Sequence, residues 1–449
     1  MAAATTLLFP AAARASGYMN PRVADPHGHP AMPNAYAIYF NPAAIGGMQG
    51  THLLADGTLA WRTVDFTRRA SALSPQTPAT LNDPDYVAAN TGDAHASNVI
   101  GIPFIAATTD FNQRNFFGGI GAYAPFGGAT QFDTRAGFSG NAADGPQRWA
   151  IISGTQQGIY TTAAAGFRLP DERFSFALSG SLVFSSIVHY QARNLAGNDE
   201  ISTEGRALID VSGLQGAMSA GVYWEPLPDG QLRIGASYAV RPSFGEARLS
   251  GTLRQRYQSQ DFDKDVDVLF TYPDVLRLGA TTMPWGRTVE LRLDAEYVTW
   301  SAFKRQCVVA RGKACDLRPD GSEQNPGEVL IALRREWKNA VGLRAGAGFF
   351  VDEKTEIYGS AGFDTSAISK STLEPTYTDA FKIIGSIGAR REFATGVVIG
   401  ASYTFVPYLQ VETGHQNSSG LAGVSRTPNQ DGTYNSKLMF FNLNAAFAL

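Results

Sequence analysis

The sequence predicts an all-β protein: a transmembrane antiparallel β-barrel of 14 strands with an N-terminal plug (hatch) segment in its lumen. Three observations carry that expectation. Period-two alternation recurs from about residue 51 to the last residue, the mark of strands with one apolar and one polar face. Long connections alternate with tight ones, which puts loops at one rim and turns at the other, as in an outer-membrane barrel. Charged residues are only 17% and glycines number 47 in 449 residues, against the ~25% charge usual in soluble domains. No stretch approaches the ~18 uncharged apolar residues of a spanning helix. A net charge of −3 without a basic patch speaks against a nucleic-acid partner.

The chain divides into three parts. Residues 1–15 have an apolar middle and end in Ala13-Arg14-Ala15, a small-x-small cleavage pattern. No basic residue precedes the apolar part, so this reads either as a signal peptide truncated at its start or as no signal at all. Residues 16–48 form the expected hatch. Its centre runs from Ala35 to Met48 and contains Phe40, Asn41, Pro42 and Ala43. Pro42 lacks an N–H and biases Asn41 away from the helical region, so no regular element runs through. The Asn41 side chain can bond the backbone two residues on. Such an apolar segment needs burial, as a plug in a barrel or as an ordinary turn before the first strand.

Residues 49–449 form the barrel, with strands expected near 51–66, 98–111, 115–124, 148–169, 173–193, 203–225, 231–256, 265–283, 287–304, 336–350, 354–364, 381–393, 396–411 and 434–449. Tight turns fall at 112–114, 170–172, 225–230, 284–286, 351–353 and 394–395; the other connections, 257–264 and 305–335 among them, are long. The faces separate cleanly in Val289, Leu291, Leu293, Ala295 and Tyr297 against Glu290, Arg292, Asp294 and Glu296. A charge on the lipid face near the midplane costs ~2–4 kcal/mol, so Arg233, Arg277, Arg292 and Arg344 are expected in the lumen. There they either pair with acids along a filled lumen or hold a ligand carboxylate by bidentate hydrogen bonds. The third strand carries Gly118, Gly119 and Gly121 and then Pro125. Gly weakens a strand and Pro removes a ladder donor, which suits either a lateral opening or a bulge at the rim. Apolar residues Phe116, Phe117, Phe126, Phe132 and Phe138 are read as patches on outward loops, able to collect greasy ligands or to pack on one another.

Cys307 and Cys315 are expected to form a disulfide, because two close thiols in an exported chain fit that better than a metal pair. Closing so short a loop contributes about 2–3 kcal/mol. No metal, cofactor or catalytic residue is assigned. His189 and Ser185 share a strand, but serines there read as small polar wall; His27 and His29 read as plain loop rather than as a ligand pair. The chain is expected not to be an enzyme.

At this point the sequence resembles the FadL/TodX family of outer-membrane transporters of long-chain fatty acids and other hydrophobic compounds. Tyr39-Phe40-Asn41-Pro42-Ala43-Ala44 is similar to the family's Asn-Pro-Ala hatch signature. Three further stretches follow in order: Gly119 to Gly127 with its Pro-Phe-Gly end, Tyr272 to Gly279, and Leu293 to Phe303. The resemblance implies a monomer in the bacterial outer membrane, surrounded by lipid, with a kinked third strand opening a lateral path. The function it implies is passive uptake of a hydrophobic small molecule, most of all a long-chain fatty acid, with aromatic hydrocarbons sharing the family. Ligand would be captured outside and released sideways past a hatch. The Gly/Ala-rich stretch usual ahead of Asn41 is missing, which puts the hatch's manner of gating in question. The rival reading is a structural or adhesive barrel whose plug stays shut.

Overall fold

The computed structural model describes residues 27–449 except 75–76, 114, 171–172, 195, 258–259 and 415–426. The signal reading of 1–15, the start of the expected hatch and His415 lie outside the described residues. Fourteen strands close into one antiparallel barrel: β1 (Thr51–Arg68), β2 (Gly92–Thr109), β3 (Phe116–Gln131), β4 (Ser153–Arg168), β5 (Phe174–Arg193), β6 (Gly205–Trp224), β7 (Leu232–Val240, then Glu246–Tyr257), β8 (Gln260–Thr271, then Val275–Thr282), β9 (Val289–Val298, then Arg305–Ala310), β10 (Val329–Arg334, then Ala340–Asp352), β11 (Thr355–Asp364), β12 (Lys382–Ala394), β13 (Val397–Pro407) and β14 (Gly432–Ala448). β14 pairs with β1 from His52↔Ala448 to Arg68↔Gly432, so the last strand meets the first and neither leaves an open edge.

Alternation sets the two faces. Leu293 is 53% exposed on the outside, while its neighbour Arg292 is 3% exposed inside. The same holds at Leu343 and Arg344.

Three strands, β8 to β10, run beyond their expected ranges, while β7 matches its expected 231–256. β7 to β10 each break once at a common level, where Ala239 pairs with Val275, Val275 with Val298 and Val298 with Ala340. Above the breaks the ladder resumes, with Glu246 opposite Thr271, Leu269 opposite Cys307 and Arg305 opposite Arg334. The expected loop 257–264 is therefore mostly strand, and 305–335 begins and ends in strand around a long connection. The six residues Gln260 to Asp265 are exposed on both faces. A ladder standing in water on both sides needs no apolar face, so alternation disappears there. Cys307 lies in this upper ladder rather than in a loop, and is joined to Cys315 with Cα atoms 6.1 Å apart. β2 likewise begins at Gly92, ahead of the expected residue 98, and β3 runs on through Pro125 to Gln131. Phe116 and Phe117 sit at the opposite, tight-turn end of β3, not on an outward loop; Phe132 is buried among the residues of the upper lumen, and Phe138 carries Arg135 over its ring at 3.8 Å.

Candidate functional site

Residues 27–48 pack against the inner wall at the tight-turn end. Ala37–Phe40 forms one helical turn and Pro42–Gly47 a 3-10 turn, with Pro42 in the position where a missing N–H costs nothing. Asn41 joins them: its Oδ1 accepts from Ala43 N at 3.2 Å, and its Nδ2 donates to Pro30 O at 2.8 Å and to Val222 O of β6 at 2.9 Å. Wall hydroxyls take up further carbonyls, with Ser237 donating to Phe40 O at 2.5 Å and Ser175 to Ala43 O at 2.9 Å. Tyr36 donates to Asp56 of β1 at 2.5 Å. The wall makes room by omitting side chains: a Cβ on Gly221 would lie 2.0 Å from Asn41 Oδ1, and one on Gly235 2.1 Å from Pro30 O. Ile38, Tyr39, Phe40 and Ile45 are buried against β2 to β6, each worth about 1.5–3 kcal/mol of apolar transfer. His29 accepts from Ala31 N through Nδ1 and holds Leu293 O through Nε2. Burial pushes its pKa down to about 3, and nearby Arg292 pushes the same way, so its imidazole is neutral.

The four candidate arginines line this lower lumen, and each has an acid partner. Arg277 bonds Glu296 at 2.8 Å and also Tyr39 OH at 2.8 Å. Arg292 pairs with Glu290 at 2.9 Å and with Glu356; Arg344 pairs with Asp364 at 2.8 Å and Asp294 at 3.3 Å. Arg233 stands 3.7 Å from Glu290.

The ladder between β2 and β3 is incomplete. Their ladder runs from Thr109↔Gly118 to Phe104↔Tyr123 and stops there, although β3 remains paired with β4 up to Gln131. A register shift between Tyr123 and Phe126 marks a bulge at Pro125. Pro103 faces it from β2, so each strand lacks a donor at the point where the ladder ends. Above, the gap closes where Gln131 N donates to Asn98 Oδ1 and Ala96 bridges Phe132. Gly118, Gly119 and Gly121 lie below, in the paired part. Inside the gap Ile100, Ile102, Ile384, Leu438 and Phe440 pack together, with Ala124 and Ala129 against them, while buried Arg62 bonds Thr130 of β3 and Lys382 pairs with Asp379 at 2.6 Å beside them.

Above lies a small cavity of about 50 Å³. Trp149, Ile187, Ile209, Val268, Ile331 and Tyr377 give it apolar walls. Much of its polar side is internally bonded, with Arg335 paired to Glu374 at 2.6 Å and Gln306 at 2.8 Å and His189 to Gln191 at 2.9 Å, while Arg335 Nε and Gln430 Oε1 have no partner among the described residues. Sequence reasoning missed this pocket, because its walls come from seven or more separated segments with no local signature. Ser185 donates to Gln215 and accepts from Tyr272, so it is not bonded to His189. Among the described residues no group of His, Cys, Asp and Glu forms a metal site.

Similar folds are found among solved structures. A FadL homologue of Pseudomonas aeruginosa superposes with TM-score 0.76 at 16% identity, covering 98% of this chain and 99% of that one. The toluene transporter TodX of Pseudomonas putida gives 0.63 at 12%, covering 99% of each. The toluene transporter TbuX of Ralstonia pickettii gives 0.59 at 15%, covering 92% and 94%. No curated protein sequence matches the chain significantly. The model of the outer membrane protein transport protein family (OMPP1/FadL/TodX) matches residues 28–449. With a match over nearly its whole length, on a closed fourteen-strand barrel, the chain belongs to that outer-membrane family.

Proposed function

We propose that this barrel carries hydrophobic molecules passively across the outer membrane. Ligand is captured in the outer cavity, moves down an apolar lumen and leaves sideways between β2 and β3, with residues 27–48 acting as the hatch that bars the straight path. The observation that carries this reading is the β2–β3 gap, since the ladder is missing beside an apolar cluster of the lumen. Water-filled channels offer such solutes nothing, whereas a wall gap delivers them to lipid without crossing the lower lumen. Transport of toluene by TodX and TbuX agrees with this solute class.

Within the class, the paired state of Arg233, Arg277, Arg292 and Arg344 favours an uncharged molecule over a carboxylate. The long-chain fatty acid remains the second reading, favoured by one group: Arg335 Nε at the outer cavity is buried without an acceptor. Cells making the protein should take up labelled toluene or oleate faster than cells without it, and the ratio of the two sorts the readings. Ala129→Trp, filling the gap, should lower uptake several-fold while the barrel still inserts. Uptake equal with and without the protein supports the rival, a structural or adhesive barrel with a closed plug.

A further inference from the structure

A second seam crosses the wall, between β6 and β7. Below it Met218 pairs with Val240, and above it Ser212 pairs with Ser250. Gly213 to Ala217 therefore have no register partner on β7, where the chain from Arg241 to Leu249 spans the same interval. The extra length forms a turn at Pro242–Phe244, whose Ser243 and Phe244 take φ of 65° and 57°. L side chains rarely adopt that conformation, and it concentrates at working parts of proteins. On its β8 side the turn is firmly held: Arg241 grips Asp274 through its main-chain N and its guanidinium. On its β6 side the Phe244 ring rests against Gly216, where a Cβ would come within 3.6 Å of it.

The seam lies at the edge of the apolar band. Leu214, Met218 and Phe244 are exposed on the outer face, and the next outward residues of β7 are Glu246 and Arg248. Behind it is a small cavity of about 30 Å³, bordered by Tyr39 and Arg277 on top of the N-terminal segment. Its lining includes the inward Ser219 and Ala217 and extends to Met218, Val240 and Pro242 at the seam itself.

We propose that the β6–β7 seam is a second passage through the wall, for uncharged hydrophobic molecules, joining the cavity above the hatch to the outer part of the membrane, with Phe244 as its shutter. The side chain is suited to this: it closes the seam with an apolar ring, is anchored on one side only, and faces a residue with no side chain to lock it. The passage's use rests on the transport reading above, but the seam can be tested separately.

Ser219→Cys places a reporter thiol in the cavity of the full chain, refolded into phosphatidylcholine vesicles; the two native cysteines are joined and do not react. Pyrenyl maleimide dissolved in the bilayer then reads access from lipid. Alkylation should be about tenfold faster with Phe244→Ala, and faster too with the milder Phe244→Leu, and slower with Phe244→Trp. Ala129→Trp, at the other gap, should leave that ordering unchanged. A rate indifferent to residue 244 in folded barrels, or one abolished by Ala129→Trp, overturns the proposal. Labelling that follows residue 244 in a protein giving no toluene or oleate uptake would sink the transport reading and leave the seam standing.

Discussion

Replacing Asn41 by Ala should unseat the N-terminal segment without unfolding the barrel. The fully buried side chain makes three hydrogen bonds, and its loss strands Pro30 O, Val222 O and Ala43 N in a site closed to water. At about 1 kcal/mol each this comes to about 3 kcal/mol, on the order of a hundredfold rise in the unseated population. None of these bonds belongs to the strand ladder, so heat-modifiable mobility should persist. Gly221→Ala attacks the same contact from the wall, because the added methyl would lie 2.0 Å from Asn41 Oδ1. With Ala at 41 that oxygen is gone, so the two changes together should cost less than their sum by 1 kcal/mol or more. A thiol at the buried Ala37, alkylated by a water-soluble maleimide, measures the unseated fraction. Continued protection in Asn41→Ala, or an equal cost of Gly221→Ala in both backgrounds, would refute the reasoning. Adding Pro42→Ala should deepen the effect and alter hydrophobic uptake, the sign showing whether the hatch guides ligand or only bars it.

Leu293→Arg should impair insertion by ~2–4 kcal/mol, as it sets a charge in lipid. Arg292→Leu should destabilise for a different reason: it leaves Glu290 and Glu356 buried without their shared cation, and Glu356→Gln should restore part of the loss, read by urea titration of folded barrel. Reducing the Cys307–Cys315 bond should open both thiols to maleimide yet barely shift barrel melting, since the closed loop lies in the upper ladder; labelling without reductant would contradict the bond. Acid should loosen the hatch. The seated His29 has its pKa at about 3 and a freed imidazole takes a proton near 6.5, so seating is at full strength above ~6.5 and weakens as pH falls towards 3. At pH 5 the loss is about 2 kcal/mol, visible as faster alkylation of the same Ala37→Cys reporter, and absent in His29→Gln.

Strands immersed in lipid were legible from their residues, because the membrane imposes an apolar outside on every second position. Leu291, Leu293 and Ala295 mark β9 without reference to the rest of the chain. The upper ladder was not legible for the converse reason: Gln260 to Asp265 meet water on both faces, so nothing in their order distinguishes strand from loop. The belt of breaks had a local signal in Pro242 and in Tyr272-Pro273-Asp274, yet the expected strands 231–256 and 265–283 run straight through both. Asn41 and Pro42 were legible as a constrained pair, and the partners that give them their meaning, Val222 and Gly221, were not, being some 180 residues away. The wall gap was half visible. Pro125 marks the bulge where the β2–β3 ladder has ended, while Pro103 on the facing strand gains significance only when the two strands are seen side by side.

The acid–arginine ladder of the lower lumen has an electrical consequence. Arg277, Arg292, Arg344 and Arg390 each stand within 3.3 Å of a carboxylate, so their fields largely cancel within a few ångströms. An ion that reaches these pairs finds the arginines already matched by carboxylates and little to replace its hydration shell, and losing that shell is expensive. A greasy solute has no shell to lose. In a planar bilayer the protein should therefore conduct almost nothing and show no preference between cations and anions, behaving as an insulator that nonetheless lets oil through.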